Sequence, residues 1–499
     1  MKNKISYKWL ALPMLMMVIS FSACKKDFLD RKPLGRYTDE DIPAGSYDSK
    51  VFAAYAILRK NGFNDHLYLG IHSYRADEAI KGSTEADGAV HGEMYDNFQY
   101  DATNAGIATY WTHHYELIIA ANEIIADIDS LGLNEPAALI NKAEAKFLRA
   151  FAYFDLVRTF GEVPLVDFKI YSAGDVNVPK APVNQIFQLI DADLTEAAAV
   201  LPLQWEPQYI GRLTSGAANA LHARTYLWRK DWPNALAKAT AVINSEQYSL
   251  VPNFGSQFRK NGENGPESIF EIQAYYSPTL DLGIIYANVQ GVRGAGQWDL
   301  GWGWNTPSAI LEAAFEPGDP RKIETLLYTG QTDPLYGETV PAGLARPYWN
   351  KKIYTDPADR LALNNRFGRW MNHRIIRYAD VLLMAAEAAN EIGGPDNTQK
   401  ALEWLEMVRA RARGNNASIL PPVTTTNQAE LRDAIRHERM VELAMEEQRF
   451  YDLVRWEIDV DVLHAAGHTN YEVKHRLLPI PQAEIDKSGG ILVQNPDWQ

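Results

Sequence analysis

The chain has 499 residues, with 63 Asp and Glu against 49 Lys and Arg, for a formal net charge of −14. That acidic balance argues against nucleic acid, whose affinity rests on Lys and Arg at the phosphates. A hydrophobic fraction of 46% with 13 Trp, 25 Tyr and 17 Phe excludes disorder as the main state, and a single cysteine excludes a disulfide framework or a Cys-rich zinc site.

The predicted elements begin with a targeting segment. Lys2, Lys4 and Lys8 precede an apolar run from Trp9 to Phe21, interrupted by Pro13, and Ser22-Ala23-Cys24 closes it. A short apolar run after a basic start is a signal peptide, too short for a comfortable transmembrane helix. Small residues before the lone cysteine make a lipobox, in which the thiol of Cys24 is diacylated and the chain is cut just before it. The expected organisation is a signal peptide over residues 1–23, a lipidated tether over 24–45 and a body over 46–499. Two or more acyl chains anchor a soluble body stably.

The body has mostly helical texture. Trp111 to Asp129 carries an apolar stripe at Trp111, Tyr115, Ile118, Ile119 and Ile125, and Ala137 to Phe160 repeats it until Gly161 and Pro164 stop it. Further helices are expected to start near Val183, Thr214, Trp232, Tyr378, Thr398 and Gln428. Two helical pairs look alike, 217–228 with 234–243 and 379–391 with 400–412. Both are rich in Ala, which lets antiparallel helices approach closely, in the style of degenerate tetratricopeptide repeats. Residues 247–370 differ. They are rich in Gly and Pro, with short strand-like pieces such as Ser268–Ile272, and read as a long irregular insertion in a helical scaffold. Such an insertion is a usual place for a binding site. The fold class is therefore mostly α, with tetratricopeptide-like pairs and an insertion containing short strands.

Enzyme motifs find little footing. His113-His114 with Glu116 lacks the one-turn His spacing of zinc hydrolases. Gly291, Gly294 and Gly296 have no β-α unit around them, so a flexible loop is the better reading. Among 63 acidic residues no acid–base pair can be singled out. The informative run is Trp298-Asp299-Leu300-Gly301-Trp302-Gly303-Trp304-Asn305. An indole face is a flat apolar platform with an N–H at its edge. A pyranose offers C–H faces to it and hydroxyls to nearby Asp, Asn or Gln. Trp298 is the expected principal platform with Trp302 in support, flanked more weakly by Tyr275, Tyr276 and Arg293. Residues 74–109 are a second possible wall, with Asn104 as its candidate. The alternative is structural: Thr306-Pro307 reads as the N-cap and first position of a helix to Phe315, and Trp302 and Trp304 dock it.

Five blocks in order carry a family resemblance. They are Ala143–Arg158 ending in Gly161–Leu165; Arg212–Ala218; Arg377–Ala388; Glu438–Ala444 continuing to Arg449–Trp456; and Leu478–Asp486 with Gln494-Asn495-Pro496. With Cys24 they resemble the SusD/RagB family of Bacteroidetes surface lipoproteins. The resemblance implies a helical body without catalysis, lipid-anchored at the outer membrane and facing outward. It also implies capture of poly- or oligosaccharide for a TonB-dependent, SusC-like barrel. A peptide-binding member of the same family and a protein-only repeat scaffold are the alternatives. No cofactor or metal is expected, with a structural calcium left open. Arg149, Arg158, Arg439, Arg449 and Arg455 read as scaffold, their stems covering apolar surface and their heads paired with carboxylates.

Overall fold

Local capping chemistry sets most helix boundaries of this protein, known here from a computed structural model that describes residues 46–84, 86–88 and 92–499. The expected signal peptide, Cys24 and the tether lie outside the described residues. The helices used below are α1 (Asp48–Ile57), α2 (His66–His72), α3 (Ala105–Ser130), α4 (Pro136–Phe160), α5 (Val183–Val200), α6 (Ser215–Trp228), α7 (Trp232–Asn244), α8 (Tyr378–Ile392), α9 (Pro395–Arg413), α10 (Gln428–Glu442) and α11 (Arg449–Trp456). Asn104 caps α3 by accepting from the Gly106 and Ile107 amides, and Thr214 caps α6 through the Ala217 amide. Helix α4 opens on Pro136 and ends at Gly161, whose φ of 75° is open to glycine at no steric cost. Helix α9 starts at Pro395, ahead of the expected Thr398, because Pro fits the first helical position after the Gly393-Gly394 turn.

Each helix from α3 to α9 packs on the next, and α10 closes against α8 and α9. Buried alanines make the close approach possible: Ala217, Ala220 and Ala223 on α6, Ala235 and Ala239 on α7, Ala385 and Ala389 on α8. Among the described residues no helix is long and apolar enough to cross a membrane. Residues 205–210 fall in a separate unit, where the turn Pro207–Tyr209 sets the Trp205 and Tyr209 rings 5.8 Å apart.

Apart from the two-residue pair Val163–Pro164 with Lys180–Ala181, the strands are β1 (Ala79–Gly82), β2 (Ser268–Ile272), β3 (Tyr275–Ser277), β4 (Leu280–Leu282), β5 (Trp304–Pro307), β6 (Leu326–Tyr328), β7 (Tyr348–Asn350) and β8 (His373–Arg377), all short and antiparallel. They pair as β1–β5, β2–β8, β3–β4 and β6–β7. The β2–β8 pair clasps the base of the irregular region, and β8 runs directly into α8. One boundary is corrected. Thr306-Pro307 does not start a helix: it ends β5, with Thr306 opposite Ile80 and Pro307 opposite Ala79. The helix is Ala309–Ala314, and its cap is Ser308, whose hydroxyl accepts from Leu311 while its amide donates to Glu78. A partner strand more than two hundred positions away in sequence outweighs the local helix-start signal.

Candidate functional site

The β1–β5 register brings Trp302 and Trp304 against α2. Asp65 caps α2 through the Leu67 and Tyr68 amides, which sets His66 at its first position. The His66 ring then lies 5.6 Å from Trp302, tilted, and 5.6 Å from Trp304, edge-on. The two indoles meet at 5.4 Å and 67°. Trp304 is buried, whereas Trp302 and His66 are half-buried, so the open aromatic surface belongs to those two.

A polar edge adjoins them. The chain after β1 turns at Asp87-Gly88, where Asp87 Oδ2 accepts from Trp304 Nε1 at 3.1 Å and from Arg293 Nη1 at 2.5 Å. Partial burial pushes the Asp87 carboxyl up, but hydrogen bonds from Trp304 and Ser83 and the charge of Arg293 outweigh it, and its pKa is lowered overall. Arg293 itself is half-exposed, with a side-chain exposure of 48%. Lys81 pins the turn from beneath, its buried ammonium donating to the carbonyls of Thr84 and Asp87 and pairing with Glu93. Arg346 holds the Ser83 carbonyl at 2.8 Å. Gly88 lies so close to Trp304 that a Cβ there would fall inside the indole, and its φ of +67° disfavours a side chain as well.

The other residues expected from sequence fall elsewhere. Trp298 is corrected from an open platform to a core residue. It is 4% exposed, stacks at 6.1 Å and 5° on Tyr354, and shares a cluster with Val292, Leu300, Leu327 and Trp349. The neighbouring glycines do not uncover rings; they let chains touch, Gly291 against the Leu300 carbonyl and Gly294 against the Trp298 backbone. Tyr275, half-exposed, and Tyr276 stand on the separate β3–β4 hairpin. Asn104 is occupied as the α3 cap and also accepts from the Tyr95 hydroxyl. Sequence reasoning missed His66. It identified the 74–109 wall without singling out Asp87, whose Asp-Gly turn after a short strand was the available local signal.

The histidine pair is structural: buried His114 bonds the Tyr110 carbonyl at 2.7 Å and Asp155 at 3.3 Å. The scaffold arginines are paired as well. Arg149 meets Asp193, Arg158 meets Asp155 and lies 4.0 Å from the Tyr451 ring centre, and Arg449 meets Asp77. Among the described residues no group of three or more His, Cys, Asp or Glu converges as metal ligands.

The aromatic and polar surface thus belongs to the irregular region of a helical-repeat scaffold, where it meets α2 and the turn after β1. Residues 27–227 match a family profile described as "Starch-binding associating with outer membrane", and residues 338–498 match the SusD family. SusD-like protein P2 of Formosa agariphila is 29% identical over 515 residues, covering 97% of this chain and 98% of that protein. A laminarin-binding SusD-like protein of known structure is 26% identical with a TM-score of 0.75, over 90% of this chain and 98% of that one. Surface glycan-binding protein A of Bacteroides uniformis is 25% identical with a TM-score of 0.73, over 92% and 99%. The chain belongs to the SusD family.

Proposed function

We infer that this chain is a glycan-binding lipoprotein of the outer membrane, anchored through Cys24 and facing outward, and that it hands poly- or oligosaccharide to a TonB-dependent SusC-like barrel. The observation that carries the ligand class is the half-buried Trp302 indole beside His66, with the Asp87–Arg293 pair at its edge. A pyranose lays its C–H face on the ring, and its hydroxyls exchange hydrogen bonds with the carboxylate and guanidinium. The laminarin-binding relative supports the same class. Binding here orients and retains a sugar, and no bond is broken.

Titration calorimetry of the mature chain against laminarin, xyloglucan, starch and pectin, repeated with Trp302→Ala, tests the reading. Loss of one aromatic platform should cost about 1–3 kcal/mol on the sugar that the wild type binds. Unchanged affinity in the variant would remove Trp302 from the site. For delivery, gentle detergent extraction and pull-down should recover a large barrel protein, and recovery of this chain alone would count against the handover.

A further inference from the structure

A cleft lies away from Trp302. It encloses about 660 Å³ between the turn at Asn253–Asn261 and residues 335–336, 354–359 and 370–371, and shares no lining residue with the Trp302 platform. Its aromatic side is Tyr336, Tyr354 and Trp370. Tyr336 is half-buried, lies 5.6 Å from the Tyr354 ring at a tilt of 58°, and lines the cleft.

Its two cations are each paired with a carboxylate. Arg259 pairs with Glu324 at 3.2 Å and Lys260 with Asp359 at 2.8 Å. Arg259 is also locked by the carbonyls of Lys351 and Tyr354, and Asp356 caps the short helix Pro357–Ala362. A phosphate or carboxylate would have to displace one of these carboxylates to reach a cation, at the cost of a formed pair. A neutral hydroxyl can instead join such a pair as donor and acceptor at once, without breaking it. The exposed amide of Asn261 adds a donor and acceptor at the rim. An aromatic wall, paired cations, a carboxylate committed to a helix cap, and a volume in the range of small-ligand pockets suit a sugar.

We propose that this cleft is a second glycan site, taking a short neutral oligosaccharide against Tyr336. It rests on the reading that the chain binds glycan at all. A polymer long enough to occupy both sites is held more tightly than by either, because the second contact forms at high effective concentration.

The test uses the mature chain with laminaritriose, cellotriose and maltotriose, and with the matching polymers, read by calorimetry for stoichiometry and affinity. For the sugar that binds, the wild type should take two trisaccharides per chain, Trp302→Ala one, Tyr336→Ala one and Tyr336→Phe two. Asn261→Ala removes only an exposed amide and should weaken the second event several-fold, which reads the cleft even if Tyr336→Ala disturbs the fold. Polymer affinity should fall about tenfold in Tyr336→Ala. A single binding event in the wild type, abolished by Trp302→Ala and untouched by Tyr336→Ala and Asn261→Ala, overturns the second site and leaves the first reading standing. No binding of any of these sugars to the wild type overturns both.

Discussion

Trp298 and Trp302 share one Gly-rich stretch and have opposite roles. Burial decides between them: Trp298 stacks on Tyr354 inside a cluster, while Trp302 keeps part of its ring open. Trp298→Ala should therefore lower stability by roughly 3–5 kcal/mol and leave sugar affinity unchanged. Thermal melts alongside calorimetry would show it, and a normal melt with lost affinity would reverse the assignment. Glu78 carries a different kind of signature. Burial raises its pKa to about 8, against the pull of Arg449 and Lys352 and with the push of Asp77, while the Met445 amide donates to its Oε1. A carboxyl raised in the folded state stabilises fully below its unfolded value, and that contribution is lost as pH rises through about 8. Glu78→Gln has no proton to lose and can still accept from Met445. It should raise the melting temperature over the wild type at pH near 9 and change it little near pH 5. An equal shift at both would mean that Glu78 is ionised in the fold.

At the scale of elements, the β1–β5 pair and the turn that follows β1 build the site together. The turn can lie under Trp304 only because Gly88 has no Cβ. Gly88→Ala should push the turn off Trp304, break the Asp87 contact and lower sugar affinity about tenfold, with a lowered melting temperature as well because the turn packs on the buried Trp304 indole. Retained affinity would show that the turn is not part of the ligand surface. Much of this level was legible from local sequence. Thr214, Gly161 and the Gly393-Gly394-Pro395 run are signals a helix obeys within a few residues, and both Ala-rich pairs form as the pattern demands. Strand β5 was not legible. Asn305 sits at φ 51°, held by Ser73 on one side of its amide and Gln290 on the other, and neither partner leaves a trace near Thr306-Pro307. The approach of His66 to Trp302 is hidden for the same reason.

At the scale of the whole body, buried ion pairs join the insertion to the C-terminal helices. Arg321, fully buried, is paired by Asp319 beside it and by Glu438 and Glu442 on α10. Glu442 also meets Arg377 at the end of β8 and Arg411 on α9, and Glu267 ahead of β2 meets the same two arginines. Further along, Arg439 pairs with Asp380 and Asp452, and Arg455 with Glu387 and Asp452. That arginines in these blocks would find carboxylates was legible from their type; which carboxylates was not, since the partners are set by the packing of α8, α10 and α11. Such a network contributes little over a well-packed apolar core, yet removing one partner strands a buried charge. Arg321→Ala should cost about 3–5 kcal/mol in denaturant unfolding near pH 7, and Arg321→Lys should recover only part, because an ammonium cannot reach three carboxylates with one planar fork. The pH dependence separates charge from lost volume. Burial raises the Glu442 pKa, but Arg411, Arg377 and Arg321 outweigh it and hold the carboxyl well below its ordinary range. Its contribution is present above the unfolded value of 4.5 and fades as pH falls below it. In Arg321→Ala, Glu442 loses one of the charges that hold its carboxyl low and takes up a proton more readily, so the deficit against the wild type should shrink as pH falls below that value. A deficit that stays constant from neutral to acid pH would assign the loss to packing around the arginine stem instead.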